Sequence, residues 1–388
     1  MYPTLSDLLN DLFGLDVPLP IQSFGFMLAI SFLAAAYTLQ LELKRKEKLG
    51  LLGKIRAERE VGRPAGIAEL AWSFATGFLI GYKLIYAFSN YSRFVEDTQG
   101  VLLSVEGNLI GGLLVGSLMA FLNYREKEKE KLPEPRRVIE YIHPHQTVSN
   151  LTLVAALSGI IGAKLFHNLE NLDELLADPL HALVSFSGLT MYGGLIVGCI
   201  AVMRYGWKRG MHPLILADAT APGLMLAYGT GRLGCQISGD GDWGVVNLAQ
   251  KPSILNWLPD WAWAYDYPHN VISEGVPIPG CVGSHCMVLP QPVWPTPLYE
   301  AFACILLFAV LWAFRSSFKV PGQLFSLYLL LNGFERLLIE QIRVNNTFSF
   351  LGLEVTQAMV IASALIIAGL IGLLAVKKIA PPHVQSGS

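Results

Sequence analysis

The sequence predicts an all-α polytopic membrane protein, with about nine transmembrane helices and a small extracytoplasmic head. Three observations predict it. Of the 388 residues 53% are hydrophobic and only 15% charged, against about 25% charged in soluble domains, and mean hydropathy is +0.45. The apolar residues gather into stretches of roughly 20, the length a helix needs to cross a bilayer. The cations gather in alternate connections between those stretches. Net charge of −2 is uninformative about partners, and no nucleic-acid partner is expected.

Nine stretches fit a span: residues 21–41, 67–88, 108–124, 148–168, 188–204, 213–233, 297–314, 321–343 and 355–376. The third and fifth are short and glycine-rich. Residues 1–20 hold no Lys or Arg, and LELKRKEK follows the first stretch. That order reverses a signal peptide, which is basic before its apolar core. The positive-inside rule then sets the N-terminus outside and 42–66 in the cytoplasm, and nine crossings bring the C-terminus inside. The expected inside segments hold eight cations in 42–66, six in 125–137, three in 204–209, two in 315–319, and Lys377 with Lys378, or 21 of the 28 Lys and Arg. Arg93 and Lys251 fall in outside loops. The other five, Lys83, Lys164, Arg232, Arg336 and Arg343, lie within spans or at their ends. At a rise of about 1.5 Å per residue all five belong to the outer half. No comparable cluster is expected in the inner half.

Five segments follow: 1–66, an outward N-terminus with the first helix and a basic loop; 67–147, a two-helix unit and a charged loop; 148–233, core helices; 234–296, the head; and 297–388, three helices and a tail. GYKLIYAF at 81–88 resembles GAKLFHNL at 162–169, and NLIGGLLVGSLMA at 108–120 resembles TMYGGLIVGCIAV at 190–202. The pattern reads as a duplicated two-helix unit in parallel orientation, a transporter hallmark among other things. The head is rich in Trp and Tyr, as in NWLPDWAWAYDYPHN, which suits the membrane interface. Cys199 and Cys304 read as buried small hydrophobes. Cys281 and Cys286 share the loop GCVGSHC, where zinc lacks ligands beyond His285 and a disulfide is expected if the loop meets an oxidising compartment.

Charge inside a bilayer costs at least about 2.5 kcal/mol per Arg or Lys at its centre, so outer-half arginines need a reason. Arg336, Glu340 and Arg343, spaced i, i+4, i+7, share one helical face; Glu335 points elsewhere. A structural ion pair with a snorkelling end residue is the plain alternative. Arg232 lies at the same depth in YGTGRLGCQISGDGDWG. Arginines converging in an outer-leaflet pocket suit a phosphate, most simply a phospholipid headgroup. Asp240 and Asp242 can pair with Arg232, bind a metal, serve as acid or base, or simply form an Asp–Gly turn.

The ordered motifs resemble the phosphatidylglycerol–prolipoprotein diacylglyceryl transferase family: SFGFMLAISFLAAAY (23–37), GAKLF (162–166), YGGLIVG (192–198), GRLGCQISGD, PTPLYE (295–300) and FERLLIEQIR (334–343). The resemblance implies a seven-helix transferase core plus the duplicated two-helix unit, in a bacterial inner membrane, with the site toward the periplasmic leaflet. It implies transfer of a diacylglyceryl group from phosphatidylglycerol to the lipobox cysteine of a prolipoprotein signal peptide, with release of glycerol phosphate and with no metal or cofactor. By matched position Arg232 and Arg336 hold the phosphate and Glu340 orients Arg336, with Tyr192 in the catalytic set. Gly239, Asp240 and Gly244 shape the headgroup loop, Asp240 replacing a family Glu; Arg343, Lys164, Phe24 and Cys235 complete the substrate site. The family pattern has Tyr at Phe24, Asn at Cys235 and His at Tyr192. Tyr192, a poor base for a thiol, is expected mainly to position the headgroup. These departures leave room for an inactive lipid-binding homologue, and the outer arginines and the repeat for a lipid or anion transporter.

Overall fold

A computed structural model describes residues 1–379 apart from 16, 185–187, 189, 351 and 352. In chain order its helices are α1 (Leu5–Phe13), α2 (Ser23–Lys48), α3 (Ile67–Ser89), α4 (Tyr91–Glu96), α5 (Thr98–Leu103), α6 (Leu109–Glu130), α7 (Val148–Glu170), α8 (Leu172–Ala177), α9 (Pro179–Val184), α10 (Met191–Lys208), α11 (Pro213–Ser238), α12 (Thr296–Phe314), α13 (Gln323–Ile339) and α14 (Gln357–Ile379). The strands are β1 (Ile55–Val61), β2 (Arg136–Ile142), β3 (Val276–Pro277), β4 (Met287–Val288), β5 (Thr347–Phe350) and β6 (Leu353–Thr356), joined as three two-stranded ribbons. The ribbons are a departure from an all-α reading. They close loops, where short paired strands satisfy backbone groups that helices leave open.

Among the described residues α2, α3, α7, α12 and α14 are long and apolar enough to cross a membrane. The other long helices, α6, α10, α11 and α13, run 17 to 26 residues. Large apolar side chains face outward, Leu306 on α12 and Leu33 on α2 among them, as a lipid-facing surface requires and a soluble one avoids.

The chain forms two compact units. The larger holds Met1–Pro3, Ser23–Ile55 and the chain from Ile142 onward. Within it α11 is the axis, packed on α2, α12 and α13, while α7 pairs with α10 and α13 with α14. One buried cluster joins Leu39, Leu43, Leu151, Ile215 and Leu216; another joins Ala221, Met225, Cys304, Leu311 and Leu324. Two expectations change here. The first span continues as helix to Lys48, so the basic run is helical and partly buried. Glu42 pairs with Arg45 and Arg315, and Lys46 with Asp218 at 3.9 Å. Asp218 also accepts from the backbone N–H groups of Gly322 and Phe325, both at 2.8 Å. A buried charge network therefore does exist at the basic end of α2, and it caps the start of α13. Second, the helix expected over 321–343 ends at Ile339.

The smaller unit comprises Thr4–Gln22 and Arg56–Tyr141, centred on the α3–α6 pair. Its internal design repeats that of α7–α10. Each pair is linked through two six-residue helices, α4–α5 and α8–α9, separated by one aspartate, Asp97 or Asp178. A Cβ on Gly81 would lie 2.4 Å from the Gly111 oxygen and 2.6 Å from Val115 Cβ; on Gly162, 2.5 Å from the Gly193 oxygen and from Val197 Cβ. The N–H of Asn108 donates to the Tyr82 carbonyl at 2.9 Å, and that of Thr190 to the Ala163 carbonyl at 3.1 Å. Asn90 and Asn171 end the first helix of each pair in the same way, their side chains donating to Tyr86 and His167 carbonyls. Composition alone does not reproduce matched contacts, so these two pairs are copies of one structural unit.

Candidate active site

Arg232 stands in the last two turns of α11, where the chain must leave a helix and start a loop. Gly239 ends α11 in the left-handed conformation at φ +65°, which an L side chain resists. Asp240 to Gly244 then bend back beside the helix end. Gly244 donates its N–H to the Trp294 carbonyl at 2.8 Å and bridges to Arg343. A Cβ there would sit 2.3 Å from the Ile342 oxygen, so only glycine lets this loop lie against the end of the α13 segment.

Three arginines converge on one buried carboxylate. Glu300, in the second turn of α12, is fully buried. It is 2.6 Å from Arg232 Nε, 2.9 Å from Arg343 Nη1 and 3.7 Å from Arg336 Nη1. Its Oε2 also accepts from the Tyr228 hydroxyl at 2.8 Å. Asp242 closes the group: one oxygen pairs with Arg232 and the other with Arg343 Nη2 at 2.5 Å. Glu340 pairs with Arg336 at 3.0 Å and accepts from Asn345 and Thr356, both at 2.6 Å. Burial pushes the Asp242 carboxyl up, but Arg232 and Arg343 outweigh it and hold the group below the usual carboxylate range. Burial pushes Asp240 the other way, above that range. Arg336 Nη1 and Arg343 Nε are buried without a hydrogen bond among the described residues. The arrangement thus holds cationic donors not yet used, in a wall of carboxylates that balances them.

The expected residues fare differently. Arg232, Arg336, Glu340 and Arg343 come together. Arg343, for which a snorkelling helix end was the plain alternative, lies at the centre with its side chain 8% exposed, because α13 stops at Ile339 and the following turn folds it inward. Cys235 lies 3.8 Å from Arg232 Nη1, and Phe24 packs its ring 3.4 Å from the position of a Gly234 Cβ. Asp240 receives the Asp242 N–H at 3.3 Å, and it is Asp242 that meets Arg232. Tyr192, half-buried at the start of α10, makes no hydrogen bond to the cluster among the described residues, and α10 pairs with α7 instead. Lys164 lies in α7. Its repeat counterpart, Lys83, uses its ammonium on the carbonyls of Val101 and Glu106, at 3.1 and 2.8 Å, and of Ser104, holding the connector between its helices. Glu335, expected to point away, is buried and has no hydrogen bond on either oxygen among the described residues. Glu300 was not singled out; its signal was an acid at the fifth position of an otherwise apolar helix.

The head over the site has a small core of its own, Trp243, Tyr267, Leu289 and Val293. Tyr267 donates to Gln236 on α11 at 2.7 Å, and the terminal ammonium of Met1 donates to the Pro268 carbonyl at 3.0 Å. Cys281 and Cys286 form a disulfide, so this loop is closed by a covalent bond.

The chain also resembles known proteins. Residues 134–375 match the family described as prolipoprotein diacylglyceryl transferase, a span that leaves the first copy of the repeat outside. A Leptospira interrogans protein named phosphatidylglycerol–prolipoprotein diacylglyceryl transferase is 30% identical over half of this chain and 61% of its own length. Proteins of the same name from Corynebacterium diphtheriae and Streptococcus pyogenes are 31% and 28% identical, over 57% and 58% of this chain and 74% and 76% of their own lengths. This chain belongs to the prolipoprotein diacylglyceryl transferase family.

Proposed function

We propose that the protein transfers the diacylglyceryl group of phosphatidylglycerol to the cysteine thiol of a prolipoprotein lipobox. The sulfur attacks the glycerol carbon that carries the phosphate. A C–S thioether bond forms, the C–O bond breaks, and glycerol phosphate leaves with the electron pair while the thiol gives up its proton. Arg232, Arg336 and Arg343 hold the phosphate and stabilise charge growing on the departing oxygen. Glu300 and Glu340 set the guanidinium planes, with Asp242 as their third anionic partner. Gly239, Asp240 and Gly244 shape the loop under the headgroup, and Phe24 and Cys235 border it. Tyr192 and Lys164 act at the wall formed by α7 and α10, outside the arginine cluster. The same cations lower the pKa of the incoming thiol, as they do for reactive cysteines.

In this reading the long helices make nine crossings of a bacterial inner membrane. The N-terminus and head are periplasmic and the C-terminus cytoplasmic. The single observation that carries the proposal is the convergence of three arginines on Glu300 in a chain of this family.

Mass spectrometry tests it. The purified protein is incubated with phosphatidylglycerol and a lipobox peptide. A diacylglyceryl mass gain is expected, falling at least a hundredfold in Arg232→Ala and Arg336→Ala, since removing a single charge-stabilising donor costs on the order of 10²–10³ in rate. No gain from well-folded wild-type protein overturns the assignment.

A further inference from the structure

Far along the chain from the arginine cluster, three donor groups gather where α2 meets the start of α7. Glu47, one residue before the end of α2, faces His143 and His145, which flank Pro144 in the sequence His-Pro-His. One ligand atom from each lies within 4.8 Å of the other two. His143 Nδ1 is 2.5 Å from one Glu47 oxygen and His145 Nδ1 is 3.5 Å from the other. The first is a hydrogen bond. The second is beyond hydrogen-bond reach, and His145 Nδ1 is buried with no hydrogen-bond partner among the described residues.

The turn that presents the two rings is itself fixed. Residues 144–147 form one turn of 3-10 helix with Pro144 buried at its first position. The His143 N–H donates to Gln146 Oε1 at 2.8 Å, and the Thr147 hydroxyl donates to the Pro144 carbonyl at 2.7 Å. The imidazoles are tilted against each other with centroids 5.3 Å apart. Both rings thus turn Nδ1 toward one carboxylate from a different helix. All three side chains are only partly exposed, at 38%, 22% and 18% for His143, His145 and Glu47, so water reaches the group without surrounding it.

We propose that Glu47, His143 and His145 bind a first-row divalent cation, zinc foremost. Two imidazoles and one carboxylate are a common zinc donor set, with water completing a tetrahedron. Two donors bound at about 2.1 Å in a tetrahedron stand about 3.4 Å apart, so the donors need only draw in modestly. The ion gives His145 Nδ1 the partner it lacks. It also ties the end of α2 to the start of α7, on the basic side of the larger unit, where the reaction chemistry plays no part.

The test uses the full chain in detergent micelles, with any affinity tag removed and metal stripped by a chelator, titrated with zinc against a chromogenic competitor. One zinc per chain is expected, with affinity falling at least tenfold in His143→Ala, His145→Ala and Glu47→Gln. Zinc should raise the melting temperature of the wild type and not of the variants. Cobalt loaded into the wild type, which needs no variant to fold, should give the intense visible bands of a four-coordinate site. Absence of stoichiometric zinc binding, unchanged affinity in folded variants, or a weak six-coordinate cobalt spectrum each overturns the proposal.

Discussion

Asp242 sets one oxygen on Arg232 and the other on Arg343, the same donors the proposed reaction assigns to the phosphate. In that proposal carboxylate and phosphate compete, and Asp242 sits between two glycines, Gly241 at φ +93° and Gly244 one residue past Trp243. Asp242→Asn keeps the shape and removes the charge. The expected outcome is a severalfold lower KM for phosphatidylglycerol; a KM raised tenfold would show that the carboxylate is instead required for binding. The same variant reports on pH. Because the folded group titrates below its ordinary value of about 3.9, its contribution to stability is present above that value and is lost as pH falls through the folded pKa. The melting-temperature difference between wild type and Asp242→Asn should therefore shrink on acidification from about pH 6 to below pH 3. The sequence offered pairing with Arg232 as one reading of Asp240 and Asp242 but could not choose between them. Asp240 and Asp242 are two residues apart in one glycine-rich turn, and spacing cannot say which reaches Arg232. The arginines were legible, because a charge in an apolar stretch is costly enough to demand a reason.

At the scale of elements, helix existence was legible and helix ends were not. Nine apolar stretches each correspond to a long helix, yet α2 runs past its expected end because Glu42 and Lys46 find buried partners, and α13 stops early because residues 340–343 turn to deliver Arg343. The sequence match between the two helix pairs understated the repeat, which extends to the short connecting helices and to individual contacts. This gives an opposite-sign test. Gly→Ala inside a helix ordinarily stabilises by about 1 kcal/mol. At Gly81 and Gly162 the new methyl meets the partner helix within 2.6 Å, so overpacking of about 1–3 kcal/mol should win. Both variants are expected to melt lower than wild type by thermal denaturation. Gly162→Ala should also depress transfer activity, since α7 lies inside the family-matched region, whereas Gly81→Ala should not. A rise in melting temperature for either would show that the helices are not in close contact.

For the whole molecule, the side on which the chemistry happens follows from the side on which the head lies. The backbone of Gly244 bridges to Arg343, and Val245 donates to the Ile342 carbonyl at 2.9 Å, so the arginine cluster and the head share one end of the larger unit. The other end carries Arg45, Lys46 and Lys48 of α2 and the Arg315 that pairs with Glu42. Cytoplasmic ends of spanning helices retain such cations, and the disulfide Cys281–Cys286 belongs in an oxidising compartment; two unrelated kinds of chemistry point the same way. A cysteine placed at Lys251, in the head, is therefore expected to react with a membrane-impermeant maleimide in intact cells. One placed at Lys54, beyond the basic end of α2, should react only after permeabilisation. Cys199, expected to be buried, is an exposed free thiol and is replaced by serine for this test, whereas Cys235 and Cys304 are buried and Cys281 and Cys286 are paired. The reversed labelling pattern would put the arginines on the cytoplasmic leaflet, where a lipobox cysteine emerging on the far side has no access to them, and would refute the periplasmic assignment of the reaction.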